Sequence, residues 1–431
     1  MSKLSSLVVH LKFVCLGLAL LTAGLPHRSA AAERSSTDHP DAPGAQEVWD
    51  VVVTLERDRV VALAESVMAQ SPVSLRDDPL PATAVADGVQ PGDYYSMGDY
   101  WWPDPTRPDG LPYVQRDGTS NPDNFVAHRR SLRAMRDAVA ALTAAYLVTG
   151  DARFAVRAGE WLERFFVAAA TRMHPHLRFA QAIPGRTTGR GIGIIDTLHL
   201  VEAARALEVL AAGSDLPEPI GSGARLWFSD YLEWMLTHPN GREEAMTRNN
   251  HSVAYWLQVA VFAQTVGNQA ALAEARETFL QRLLPDQMAP DGSFPRELAR
   301  TKPFGYSIFQ LDNVCLLAEV LSTEDVDLWR HHLPDGRSLA QAVAFLYPFL
   351  DDPATWPYAQ DIEHFADWPV RQPALLLASY RLHKPEYWRL WCRLNPDPTN
   401  EEVRRNMAVT QPLLWIPRPM RAPAARADSV R

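Results

Sequence analysis

Residues 127–165 read AHRRSLRAMRDAVAALTAAYLVTGDARFAVRAGEWLERF. Leu132, Met135, Val139, Leu142 and Tyr146 recur at alternating three- and four-residue intervals, which places them on one stripe of an amphipathic helix. Gly150 then supplies a residue free to end a helix, and Asp151 one whose carboxylate can cap the next. Phe154, Ala158, Trp161, Leu162 and Phe165 continue at helical spacing. The unit is a helix, a tight turn and a second helix.

The same unit recurs outward from this stretch. Helical periodicity runs from Val48 to about Ala69, and again over roughly 196–212, 221–237, 251–267, 269–285, 307–322, 337–350 and 370–393. Strand-like segments are few, and no tight sequence repeat accompanies the pattern. An all-α domain of helical hairpins packed side by side is expected. Periodicity leaves open whether the hairpins close into a ring. No linker interrupts 127–393, so residues 46–417 are read as one domain. Residues 72–125, broken by Pro, Gly, Asp and aromatics, form a long irregular segment laid across it, and such segments in compact domains are often functional.

Composition bounds the rest. Hydrophobic residues make up 47% and charged residues 22% of 431, an ordinary globular balance. At the N-terminus Lys3 and Lys12 flank an apolar run from Phe13 to Leu25, followed by small residues at Ala30-Ala31-Ala32. This predicts a cleaved signal peptide over 1–32 and a periplasmic or secreted protein, the alternative being an uncleaved anchor. Residues 33–45 read as a disordered lead-in and 418–431 as a frayed tail. Loss of Lys3, Lys12 and Arg28 takes the formal net charge from −9 to −12. So acidic a protein is a poor general binder of nucleic acid, and it can hold an acidic polymer only in a local basic cleft. Later in the chain nothing is long and apolar enough to span a membrane. Cys315 and Cys392 could pair in an oxidising compartment, although Cys315 lies in an apolar run that also suits a core. No paired Cys and no His-x-x-x-His spacing argues for structural zinc, so no metal and no other cofactor is expected.

Chemistry is concentrated in a few places. Arg248-Asn249-Asn250-His251 opens an apolar, buried-type helix, and a helix N-terminus attracts anions. Capping needs only one amide, so Asn249 as cap leaves Asn250 and His251 for other work. Pro295-Arg296-Glu297-Leu298-Ala299-Arg300, then Thr301-Lys302-Pro303-Phe304-Gly305-Tyr306, gathers three cations and a tyrosine before a new helix; a solvated loop with Glu297 paired to an arginine is the plainer reading. Tyr94, Tyr95, Tyr100, Trp101 and Trp102 crowd one loop, where aromatic faces suit sugar rings or pin the loop to the helices below. Gln181 and Arg190 flank a glycine-rich turn that lacks the strand and lysine of a phosphate loop. Trp356-Pro357-Tyr358 with Glu363, His364 and Trp368 reads as structural or as a rim.

The pieces Asp99-Tyr100-Trp101-Trp102-Pro103-Asp104-Pro105, Pro108-Asp109-Gly110-Leu111-Pro112-Tyr113, Asn249-Asn250-His251 and Pro295-Arg296-Glu297-Leu298-Ala299-Arg300 resemble the alginate-lyase-like superfamily of polysaccharide lyases. The similarity covers roughly 90–385. The Trp-Trp-Pro loop is more similar to polysaccharide lyase family 38 than to the alginate lyases of family 5. The resemblance implies an incomplete (α/α) toroid with a deep groove and β-elimination on a β-1,4-linked polyuronate, glucuronan or mannuronate-rich alginate. It also implies that Asn250 and His251 face Arg300 and Tyr306 across the scissile bond, with Tyr255 as the rival tyrosine.

These residue types suit the reaction. The C5 proton of a uronate becomes removable when donors and a cation take up the charge spreading into its carboxylate, which Asn250, His251 and Arg300 can do without a metal. A base then takes the proton and an acid protonates the departing O4. In mannuronate and glucuronate H5 and O4 share one side of the ring, so Tyr306 alone can serve both steps, with Arg300 and Lys302 expected to lower its pKa. In guluronate the two lie on opposite faces, and His251 would be the base. Tyr95, Tyr100, Trp101, Trp102, Gln181, Arg190, Arg248 and Lys302 are the expected substrate contacts, in a protein acting as a monomer. Two other classes fit less of the pattern: a helical-toroid glycoside hydrolase using Asp196 and Glu297, although Asp196 reads better as a helix cap, and a non-catalytic polyuronate binder.

Overall fold

The hairpin at Gly150-Asp151 forms as its residues dictate. Gly150 adopts φ 72°, a left-handed conformation that a side chain would resist, and its N–H reaches the Tyr146 carbonyl. Asp151 then accepts the Arg153 backbone N–H and starts the next helix. The structure, a computed structural model, describes Gly44 and residues 47–418. The segment read as a signal peptide over 1–32 lies outside the described residues. So do the lead-in over 33–45, apart from Gly44, and the tail over 418–431, apart from Arg418.

In chain order the helices are α1 (Val48–Met68), α2 (Ala82–Ala86), α3 (Ala127–Thr149), α4 (Ala152–Leu162), α5 (Leu200–Ala211), α6 (Glu218–Thr237), α7 (Pro239–Ala245) and α8 (Asn250–Val266). They continue as α9 (Gln269–Thr278), α10 (Leu284–Gln287), α11 (Pro295–Leu298), α12 (Pro303–Leu321), α13 (Leu339–Asp351), α14 (Pro373–Arg381), α15 (Pro385–Arg393) and α16 (Glu401–Arg405). Helices α3, α5, α8, α12 and α14 pack successively against one another as an inner row. Outside them, α1 and α4 lie on α3, α6 on α5 and α8, α9 on α8, α13 on α12 and α14, and α15 on α14. Such alternation of inner and outer helices is an (α/α) toroid. It is incomplete: among the described residues, α14 and α3 do not pack together as the neighbouring inner helices do. The opening is bridged by the C-terminal segment, whose turn Pro412–Leu414 touches α1, α3 and α5.

The apolar stripes meet in one core that runs through every layer. Helix α8 is apolar nearly all round and is buried nearly all round, as its composition requires. The core also contains charges that the stripes did not reveal. Arg136 of α3 is 1% exposed and donates to the Met407 and Ala408 carbonyls at 3.0 and 3.1 Å. Glu202 of α5 is buried and accepts the Thr410 and Gln411 backbone N–H groups at 2.8 and 2.7 Å. These bonds fasten the C-terminal segment across the opening.

Boundaries differ from the periodicity in places. The run expected over 269–285 ends at Thr278 and passes through a π-turn, Phe279–Leu283. The run over 370–393 is two helices, separated at His383, which has φ 53°. Asp196 caps no α-helix; it is the buried centre of a hydrogen-bond cluster described below. Cys315 and Cys392 are both free, the first inside α12 and the second on α15. No described helix is long and apolar enough to cross a membrane.

The irregular segment is tied down by short strands. β1 (Tyr95–Met97) pairs in parallel with β4 (Phe179–Ala182), and β2 (Trp101–Trp102) pairs antiparallel with β3 (Val114–Gln115). A small second core of Ala84, Val89, Tyr95 and Ala182, with Phe125 against it, sits under this arrangement.

Candidate active site

A cleft of about 550 Å³ opens where the N-termini of α8 and α12 meet the irregular segment and α16, a size suited to a few sugar units. Asn250, His251, Arg300, Tyr306, Tyr100, Trp101, Gln181 and Arg190 all line it.

One wall is the start of α8. Asn249 holds the N-cap position with extended backbone, but its side chain caps nothing. The anion at this helix end comes instead from Glu297 of α11, which is 1% exposed. Its carboxylate accepts the Asn250 backbone N–H at 2.8 Å and the Asn250 side-chain amide at 2.6 Å. The plainer reading of Glu297 as an arginine's partner is therefore replaced by a tertiary cap. His251 is oriented by Glu244 of α7, whose buried carboxylate lies 2.7 Å from Nδ1. With Nδ1–H donating to Glu244, Nε2 is the nitrogen left to the cleft. Burial works to lower the His251 pKa, but the charge and hydrogen bond of Glu244 outweigh it and hold the group above its ordinary value.

The other wall is the start of α12. The Arg300 guanidinium stacks over the Tyr306 ring, 4.1 Å from its centre. Arg300 Nη2 donates to the Tyr306 hydroxyl at 3.0 Å and to Asp117 at 2.8 Å. The Tyr306 and Tyr100 hydroxyls are 2.8 Å apart, and Arg405 Nη2 donates to Tyr100 at 3.2 Å. Two phenols thus share a hydrogen bond between two guanidiniums. Burial and the neighbouring Tyr100 nevertheless push the Tyr306 pKa well above its ordinary value, against the opposing pull of Arg300. The structure runs against the lowered value expected from the sequence: burial outweighs the Arg300 charge, and Asp117 already pairs with Arg300.

The floor is a charged cluster around Asp196. This carboxylate accepts from Ser96 at 2.6 Å, Tyr94 at 3.1 Å, Gln181 at 3.0 Å and Arg129 at 3.2 Å. Gln181, at φ 50°, in turn accepts from Arg190 through its side chain at 3.1 Å and its carbonyl at 3.0 Å. Among the described residues no carboxylate pairs directly with Arg190, although Asp196 and Asp99 act on it through space, and it lines the cleft. Gly98 is required here by contact: a Cβ would stand 2.7 Å from both Arg190 Nη2 and Trp101 Cδ1.

Four expected substrate contacts do not line the cleft. Tyr95 is 3% exposed and packs its ring on Phe125 in the small core. Trp102 donates to the Thr119 carbonyl and carries Arg116 on its face, so it braces the loop. Arg248 points outward into solvent. Lys302 is 4% exposed and paired with Glu363 and Glu402 at 3.1 and 3.2 Å. Glu363 of the last cluster is thus an anchor for Lys302. The rival Tyr255 is buried with its hydroxyl on the Met235 carbonyl, outside the cleft.

Residues missed in the sequence are those contributed by distant segments: Glu244, Asp117, Asp99, Arg129 and Arg405. Two of them had a nearby signal: Glu244 lies on the helix just before the Asn-Asn-His motif, and Asp99 opens the Tyr-Trp-Trp motif, but nothing in the spacing gave either a role.

The family model described as "Alginate lyase" matches residues 83–356. The chain belongs to the alginate lyase family. The enzyme is accordingly a polysaccharide lyase. A solved alginate lyase from Bacteroides ovatus is 33% identical and superposes with a TM-score of 0.71, over 84% of this chain and 96% of that one. A histidine-to-alanine variant of alginate lyase A1-III, complexed with tetrasaccharide, shares the fold at 16% identity and a TM-score of 0.52, over 88% and 99% of the two chains. No curated protein matches the lyase sequence. The two carboxylates that a hydrolase reading would use are engaged otherwise: Asp196 accepts from Tyr94, Ser96, Arg129 and Gln181, and Glu297 accepts from Asn250 at the α8 end.

Proposed function

We propose that the enzyme cleaves a β-1,4-linked polyuronate, glucuronan or mannuronate-rich alginate, by metal-independent β-elimination. The observation that carries this is the pairing of two walls in one cleft: Asn250 and His251 on one, Arg300 and Tyr306 on the other. A uronate carboxylate lying between them meets the Asn250 amide, His251 and the Arg300 guanidinium. Those groups take up the charge that develops as the C5 proton leaves. Arg190, whose guanidinium lies over the Trp101 ring, offers a cation to neighbouring sugar units.

Tyr306 is the proton carrier in this reading. On glucuronate or mannuronate its phenolate takes H5, and the resulting phenol gives the same proton to O4 as the glycosidic bond breaks. The products are an unsaturated sugar and a free hydroxyl end. Arg300 and Arg405 favour the phenolate when it forms, and Tyr100 can donate a hydrogen bond to it. His251, with Glu244 behind it, serves the carboxylate.

Defined polyglucuronate, polymannuronate and polyguluronate should be offered in parallel, with ultraviolet absorbance and product sizing as readouts. New absorbance on the first two supports the reading. Absorbance on polyguluronate alone would move the base role to His251, and none on any of them would sink the polyuronate assignment. Tyr306→Phe should lose roughly 10²–10⁴-fold in kcat while still binding polymer; full activity in that variant overturns the tyrosine role. Chelator treatment should leave kcat unchanged. The reading also places the enzyme outside the cytoplasm as a monomer, which cell fractionation and sedimentation test.

A further inference from the structure

Away from the cleft, Asp93, His174 and His176 converge. Asp93 Oδ1 lies 2.7 Å from His174 Nδ1 and 3.2 Å from His176 Nε2, and all three atoms are within 4.8 Å of one another. None of the three lines the catalytic cleft. The chain pieces that bring them together are fixed independently. The His174 backbone N–H donates to the Gly92 carbonyl at 2.8 Å, and Asp93 Oδ2 accepts the Gln90 backbone N–H at 2.8 Å. The second bond aims the other carboxylate oxygen at the histidines, as an outer partner does for a metal ligand. The Asp93 side chain is 6% exposed, while those of His174 and His176 are 35% and 20% exposed, so the cluster is closed behind and open in front.

Two imidazoles directed at one carboxylate oxygen make a crowded hydrogen-bond arrangement but a natural donor set for a cation. Zinc held at about 2.0–2.1 Å by tetrahedral ligands leaves those ligand atoms about 3.3 Å from one another. The two separations from Asp93, 2.7 and 3.2 Å, already lie near that spacing, and the two imidazole nitrogens, within 4.8 Å of each other, close onto a shared ion by side-chain rotation. We propose that Asp93, His174 and His176 bind one divalent transition-metal ion of the zinc class, with water at the open position. Two nitrogens and one carboxylate suit zinc, and hard cations that demand oxygen ligands suit the set poorly.

The site's place in the chain gives it a role. Asp93 immediately precedes the stretch running through β1 to Trp101, and His176 lies three residues before β4, which carries Gln181. An ion here ties together the two segments whose parallel pairing holds one rim of the cleft. It acts on stability, with no step in the elimination.

The test uses the full chain, stripped with chelator and dialysed, then titrated with zinc chloride by calorimetry and followed by thermal unfolding. One equivalent should bind, and Tm should rise until that equivalent is filled. Cobalt substituted for zinc should give a visible absorption band of a tetrahedral nitrogen-and-oxygen site. In His174→Ala/His176→Ala, and separately in Asp93→Asn, affinity should fall at least about tenfold and the cobalt band should vanish. No uptake by the unsubstituted enzyme overturns the proposal, as does uptake of equal affinity in the double histidine variant. Should that variant fail to fold, His174→Gln with the same cobalt readout decides, since its side chain is the most open of the three.

Discussion

Tyr306 holds its proton in the free enzyme, and the pH profile should report it. Its pKa lies well above the ordinary value through burial and the nearby Tyr100. Below that pKa the phenolate fraction rises about tenfold per pH unit, so kcat/KM on polyglucuronate or polymannuronate should climb from neutrality into the alkaline range. A profile that levels near pH 7 would instead mark His251 as the base. Glu244→Gln addresses the other wall. It should lower the His251 pKa, read by NMR titration, because the carboxylate that holds it up is gone. The sign for stability follows. A raised folded pKa contributes stability fully present below the ordinary 6.5 and lost as pH rises through the folded value. The variant's stability deficit should therefore be largest in mild acid and shrink above it. At this scale the sequence was most informative where chemistry is local. Asn250, His251, Arg300 and Tyr306 stand in short motifs and all reach the cleft. Asp117 lies 183 residues from its partner Arg300, and Arg405 lies 305 from Tyr100; no spacing rule connects such pairs.

Among elements, α8 shows how an end is finished from elsewhere. Its N-terminus has no working side-chain cap of its own, and Glu297 supplies the anion. Glu297→Ala leaves the Asn250 N–H and amide without their acceptor in a buried place. Hydrogen bonds to a charged group contribute about 1.5–3 kcal/mol, and urea unfolding should show a loss of that order. Activity should fall as well, since Asn250 loses its orientation; unchanged stability would contradict the cap. Long periodic helices such as α3, α8 and α12 were legible because their stripes are long. The strands were not, because β1 and β4 span only three and four residues, too few for alternation to show. Nor was the fate of individual aromatics in 94–102. Tyr95 and Trp102 brace, whereas Tyr100 and Trp101 face the cleft, and a loop has no period that separates the two sets.

On the scale of the molecule, the toroid follows from hairpins that each have one face to bury, while the opening that leaves it incomplete was implied by the family resemblance and not by periodicity. The C-terminal segment bridges that opening, and its α16 delivers Arg405 to the cleft beside Asp99 and Tyr100. Arg133 reaches Glu401 at 2.6 Å, and Glu202 holds the backbone at Thr410 and Gln411. Truncation before Glu401 should therefore abolish turnover and lower Tm together, while Arg405→Ala should cut activity and leave most of the stability. Retention of full activity by the truncated chain would refute the bridging role. The family match ends at residue 356, well before this segment. The arrangement also has a consequence in time. A ribosome makes this chain from the N-terminus, and Arg405, which finishes the catalytic wall, emerges after every helix of the inner row. A nascent or interrupted chain can fold much of its helical body and still have an unfinished groove, so competence to cut polymer arrives only after α16 has been made.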